Sequence, residues 1–102
     1  MSILEFKESP IPVRVGEVLI WDFDITPWAA SGTDPEVSAV RTDTGADVTA
    51  ALFGVVEPTL VGTTYTLPPA SGFVRNLEYR ITAQFESGGN TLRPFFLAQV
   101  SA

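Results

Sequence analysis

The sequence contains no histidine, no cysteine and a single lysine. Without histidine it has no access to the commonest general base, to a Ser-His-Asp arrangement or to imidazole metal ligation. Without cysteine there is no disulfide framework and no thiolate site, so transition metals find almost no ligands. Small extracellular domains usually carry disulfides, and their lack here favours folding in a reducing cytoplasm. The one lysine, Lys7, lies near the N-terminus with no serine setting that suggests a Ser-Lys dyad. Long apolar runs are also missing: none approaches the roughly 18 residues of a membrane-spanning helix. Residues 1–10, MSILEFKESP, have early acids and no apolar core segment, unlike a secretory signal.

Positive charge is scarce. Six basic residues face 12 acidic ones, for a net charge of −6. The imbalance is uneven: residues 1–57 hold 10 acids and 3 bases, residues 58–102 only 2 acids and 3 bases. An acidic chain without a basic patch repels phosphate backbones, so no direct nucleic-acid partner is expected. The asymmetry either orients the protein against a charged partner or only keeps it in solution.

What the sequence does have is apolar residues, 45% of the chain, among them 7 Phe, 2 Trp and 2 Tyr, which is enough for a packed core and excludes whole-chain disorder. Its 102 residues fit one domain. Turn formers punctuate it at short intervals: Gly16, Ser31-Gly32, Asp34-Pro35, Asp43-Thr44-Gly45, Gly54, Gly62, Pro68-Pro69, Ser71-Gly72 and Gly88-Gly89-Asn90. The segments between them are short and rich in Val, Ile, Thr, Phe and Tyr, the signature of a sandwich or barrel. Residues 17–25 alternate Leu19, Trp21, Phe23 and Ile25 against Val18, Ile20, Asp22 and Asp24. The first set is assigned to the core; the second starts apolar and ends acidic, as if partly covered. Residues 77–85 alternate Leu77, Tyr79, Ile81, Ala83 and Phe85 with polar residues, a half-buried strand. A hairpin through Ser87-Gly88-Gly89-Asn90 leads to a last strand over 91–100. Weaker strands are expected near 11–15, 36–42, 47–53 and 63–67. The fold class is therefore all-β: an immunoglobulin-like β-sandwich of about seven antiparallel strands over 13–102, with 1–12 as an N-terminal arm or first strand. Tyr79, at the head of its strand, is either a tyrosine corner that caps an upstream backbone group or an ordinary core tyrosine.

Few residues offer chemistry. Asp22 and Asp24 project from one face of a strand, a pair able to bind calcium or act as acid and base. Calcium needs about six to eight oxygens, and no Asp/Asn/Gly loop supplies them, so no metal, cofactor or catalytic residue is expected and the chain is read as no enzyme. Candidate interface residues are Ile3, Leu4 and Phe6 in the arm, Trp28, Pro94 and Phe95. Trp28 either plugs one end of the sandwich or serves as a binding hot spot. Pro94 cannot donate to a ladder, so it marks an edge or a bulge. Phe95 and Phe96 must face opposite ways, one in the core and the other exposed or covered by a partner. The arm is a route to a neighbouring subunit's sheet edge, or docks as a strand itself.

The run Gly16-Glu17-Val18-Leu19-Ile20-Trp21-Asp22-Phe23-Asp24, then Trp28 with Ser31-Gly32, then Glu36-Val37-Ser38-Ala39-Val40, then Asp43-Thr44-Gly45-Ala46-Asp47-Val48-Thr49, and finally Leu77-Glu78-Tyr79-Arg80-Ile81-Thr82 with a glycine-centred hairpin cover most of the chain. This pattern resembles short virion structural proteins of tailed bacteriophages and prophages, of fibre–tail adaptor or head–tail/neck-region type, with an immunoglobulin-like fold. The resemblance implies a non-enzymatic assembly protein of the neck, tail attachment or fibre–tail junction. It implies synthesis in the bacterial host cytoplasm, a place in the virion, other virion proteins as partners, and a homo-oligomer or ring. Neither nucleic acid nor membrane is among the implied partners. The competing reading is a carbohydrate- or protein-binding β-sandwich module with an exposed aromatic platform.

Overall fold

A computed structural model describes residues 11–101. Two sheets pack face to face. The larger holds β1 Ile11–Val13, β3 Thr33–Arg41, β6 Glu78–Ser87, β7 Asn90–Leu92 and β8 Phe95–Val100, and the smaller holds β2 Asp22–Asp24, β4 Thr59–Val61 and β5 Thr64–Thr66. The larger has the order β1-β8-β6-β3, with β7 also on β6; the smaller has the order β2-β5-β4. β1 runs parallel to β8, and the other pairings are antiparallel. The all-β expectation holds.

The period of two decides which side of each strand is inside. Along β6, Tyr79, Ile81, Ala83 and Phe85 are buried, while Arg80 and Glu86 are exposed. Along β8, Phe96, Ala98 and Val100 are buried. Small residues on the larger sheet (Ala39, Ala83 and Ala98) leave room for the rings that meet there. Trp21 lies edge-on to Phe96 at 5.0 Å, and Tyr65 stacks on Phe23 at 4.9 Å. Tyr65 also reaches across the sandwich. Its hydroxyl lies 2.8 Å from the carbonyls of Glu36 and Gln84, on β3 and β6. Burial of the phenol raises its pKa well above the usual tyrosine value.

The final hairpin forms where expected. Gly88 and Gly89 both have positive φ, as a two-residue turn twisted to match its strands requires. β7 and β8 share one register on β6, and Pro94 lies between them. The Pro94 carbonyl accepts a bond from Ala83 N–H at 2.8 Å. The strand expected over 91–100 is thus continuous in space, and it is interrupted only where the proline has no N–H to return.

Two expected strands are corrected, and one strand is new. Residues 47–53 do not form a strand: β3 returns briefly through a Val40–Asp47 bridge, and Thr49–Phe53 forms a short helix, α1. Ala50, Ala51 and Leu52 are good helix formers, Asp47 Oδ1 accepts from Thr49 N–H at 2.9 Å, and Gly54 at φ 68 ends the turn. The helix buries Leu52 and Phe53 over one end of the core. The strand expected over 17–25 shrinks to β2 plus an isolated Leu19–Ala70 bridge. Its inner face packs as expected, with Ile25 fully buried, but Val18 and Ile20 stand 67% and 64% exposed. β4, just after Glu57-Pro58, went unrecognised in the sequence.

Both ends of the edge strand β3 are shielded. Near its start the register shifts between Thr33 and Glu36, where Asp34 takes φ 53 ahead of Pro35. Near its end, Ala39 N–H donates to Thr49 Oγ1 at 2.9 Å, Ala39 C=O accepts from Val48 N–H, and Arg41 N–H donates to Ala46 C=O. A bulge, a proline and a covering loop are the usual means of blocking edge-to-edge pairing.

Candidate interaction surfaces

Tyr79 resolves one open alternative. It sits second in β6, and its hydroxyl accepts from Val74 N–H, five residues upstream, at 3.1 Å. The phenol pins the connection into β6 as a tyrosine corner does.

Ile3, Leu4 and Phe6 lie outside the described residues. The other candidates are not brought together. Trp28 is half-buried at the turn after β2: its N–H donates to Ile25 C=O at 2.9 Å, and its ring meets Phe23 edge-on at 6.1 Å. Pro94 is fully buried, so its ring presents nothing to a partner. Phe96 takes the core position and Phe95 the outer one. Phe95 is covered from within its own sheet: the Arg80 guanidinium carbon sits 4.0 Å from its ring centroid, a cation–π contact.

The outer face of the larger sheet is therefore mixed. Arg80 faces Leu97 on one side and Val40 on the other, both half-buried. Beside this patch runs a polar row: Arg93 Nε donates to Gln84 Oε1 at 2.8 Å, and Gln84 Nε2 donates to Glu36 Oε2 at 3.2 Å. On the smaller sheet, Val61 of β4 is 76% exposed.

Of the paired acids of β2, Asp24 is turn chemistry. Asp24 Oδ1 accepts from Thr26 N–H at 2.8 Å and from Thr26 Oγ1 at 2.6 Å, which holds its pKa below the usual carboxylate value. Such a carboxylate ends a strand and suits neither a proton donor nor a base near neutrality. Asp43 is similarly lowered, by Arg41, whose Nε and Nη2 grip its two oxygens at 3.1 and 2.8 Å.

Sequence reading gave no hint of one concavity. A cleft of ≈ 460 Å³ opens at the β3 bulge, lined by Asp34, Pro35, Glu36, Glu57, Pro58, Gln84 and Glu86. Its four carboxylates come from three distant parts of the chain, and no local spacing announces them. Glu86 is pushed above the usual carboxylate range, first by a hydrogen bond with Asp34 and then by the charges of Asp34 and Glu36. Among the described residues no cluster of three or more Asp or Glu is disposed to hold a metal.

Comparison with known protein families, with curated proteins and with solved structures finds no match to this chain.

Proposed function

We propose that the chain is an immunoglobulin-like sandwich that acts without catalysis, as a bacteriophage virion structural protein of the neck, tail-attachment or fibre–tail adaptor type. Strand order supports the fold. β3, β6 and β8 take the places of the C, F and G strands of such domains, and β2, β5 and β4 those of B, E and D. Tyr79 at the start of the F-like strand adds the matching corner.

The observation that carries the functional reading is apolar surface outside the acidic cleft. Val18, Ile20 and Val61 are more than 60% exposed, and Phe95, Leu97 and Val40 form a second, half-covered patch. Apolar side chains left at the surface are the material from which an interaction site is built. A sequence with no histidine and no cysteine offers little for catalysis. The glycan-platform alternative needs an aromatic ring with an open face, and Arg80 occupies that of Phe95.

The test is to raise antibody against the chain and probe virions purified from an induced lysogen of its source. Detection in the particle, together with loss of incorporation on Val18→Asp and Ile20→Asp, supports the reading. Particles that lack the protein overturn it.

A further inference from the structure

The start of β3 is joined to β6 by little. Beyond the bulge one residue pair, Thr33 with Glu86, carries the ladder, while Asp34 and Pro35 stand together against Phe85 alone. Asp34 takes φ 53, in the left-handed region, and Pro35 has no N–H to give. From Glu36 onward the strand is fixed. The Tyr65 hydroxyl lies 2.8 Å from the carbonyls of Glu36 and Gln84 and ties both to the opposite sheet. Residues 33–35 are therefore a short flap hinged at Glu36. The chain that leads into it covers the core: a Cβ added at Gly32 would lie 2.7 Å from Phe85 Cδ2 and 2.9 Å from Leu60 Cδ2. Lifting the flap uncovers those two side chains.

Charge around the flap is of one sign. The cleft beside it gathers Asp34 and Glu36 from β3, Glu57 from the approach to β4 and Glu86 from β6, and no lysine or arginine among the described residues lines it. Opposite Glu86 on β7 stands Thr91, which carries no charge. Arg93, after β7, donates to Gln84 Oε1 at 2.8 Å, and Gln84 Nε2 donates to Glu36 Oε2, so that cation is joined to the cleft through an amide. Glu86 is the group that holds a proton longest. A hydrogen bond with Asp34, then the charges of Asp34 and Glu36, push it above the usual carboxylate range. A carboxyl raised in this way favours the closed arrangement when protonated. Its contribution is complete in acid and is lost as pH rises through the Glu86 titration.

We infer that the Asp34 and Glu86 carboxyls form a pH-sensitive latch on residues 33–35, closed when the two share a proton and loosened when both are ionised. The inference does not depend on the virion reading.

The test is amide hydrogen exchange by NMR on the full chain at about pH 4.5 and about pH 7.5, corrected for the intrinsic rate at each pH. Main-chain groups alternate along β6, and Ala83 N–H bonds to Pro94 C=O on the β8 side, so the Glu86 and Thr82 amides lie on the β3 side. Protection at Glu86 is expected to fall by about fivefold from acid to neutral pH, the scale of one repelling charge pair in water. Thr82, paired with Ser38 beyond the Tyr65 tie, should keep its protection. Asp34→Asn and Glu86→Gln each remove one of the two charges, and each should keep the amide at position 86 protected at neutral pH. If one variant does not fold, the other carries the comparison. Equal protection at the two pH values in the parent, a loss that persists in the variants, or a loss shared equally by Thr82 would each overturn the inference.

Discussion

Tyr65→Phe tests the central tie between the two sheets. The substitution keeps the stacked ring and removes one buried hydroxyl, whose single proton is shared between the carbonyls of Glu36 and Gln84 at 2.8 Å each. A typical hydrogen bond contributes about 0.5–1.5 kcal/mol net, and a carbonyl left short of a partner adds to the loss. The expected cost is therefore about 1–2 kcal/mol. At about 4–8 °C per kcal/mol for a domain of this size, Tm should fall by roughly 5–15 °C. Alkaline titration gives an independent reading. The folded phenol resists ionisation, because burial raises its pKa. The unfolded chain releases that proton near pH ~10. Stability from this group is complete below that pH and is lost as pH rises toward the folded value, at up to about 1.4 kcal/mol per pH unit. Urea melts of the parent and of Tyr65→Phe at neutral pH and above pH ~10 measure both effects. A variant as stable as the parent at neutral pH, with the same alkaline slope, would refute the tie.

Gly32→Ala should cost about 1–3 kcal/mol by urea melt, because the added Cβ would lie 2.7 Å from Phe85 Cδ2 and 2.9 Å from Leu60 Cδ2 inside the core. Glu86→Gln should stabilise the protein near neutral pH and lose that advantage in acid. The folded-state pKa of Glu86 is raised, so its ionised form works against the fold, and that penalty disappears once the carboxyl is protonated; thermal melts at about pH 4 and pH 7 compare the two. Arg80→Ala should cost no more than about 1 kcal/mol, since the contact with Phe95 is at the surface, and it should expose the ring to a hydrophobic dye.

Much of the core was legible in the sequence because one physical rule writes it there. A strand between core and solvent alternates, and residues 78–87 alternate without a break, so Tyr79, Ile81, Ala83 and Phe85 could be assigned inward from spacing alone. The closing hairpin was legible for the same kind of reason: a two-residue turn that needs positive φ twice selects Gly88-Gly89. Where alternation met mixed signals the reading slipped. Residues 47–53 mix β-branched and helix-forming residues, and Gly54 with the Asp47–Thr49 bonds tips them into α1.

Other features belong to the tertiary structure, because they join residues that sequence spacing does not relate. The parallel pairing of β1 with β8 brings Ile11 to Ala98. The acidic cleft collects carboxylates from β3, β6 and the approach to β4. Tyr65 finds its acceptors 29 and 19 residues away, on the opposite sheet. Phe95 and Phe96 were separated by parity in the sequence, but only the register of β6 on β8 set Arg80 over the outer ring. The sequence by itself determined the all-β class and which face of each clear strand is apolar, because both follow from local periodicity. Which strands are neighbours, which edges are shielded and which apolar residues stay exposed depended on how the two sheets meet, which no local pattern encodes.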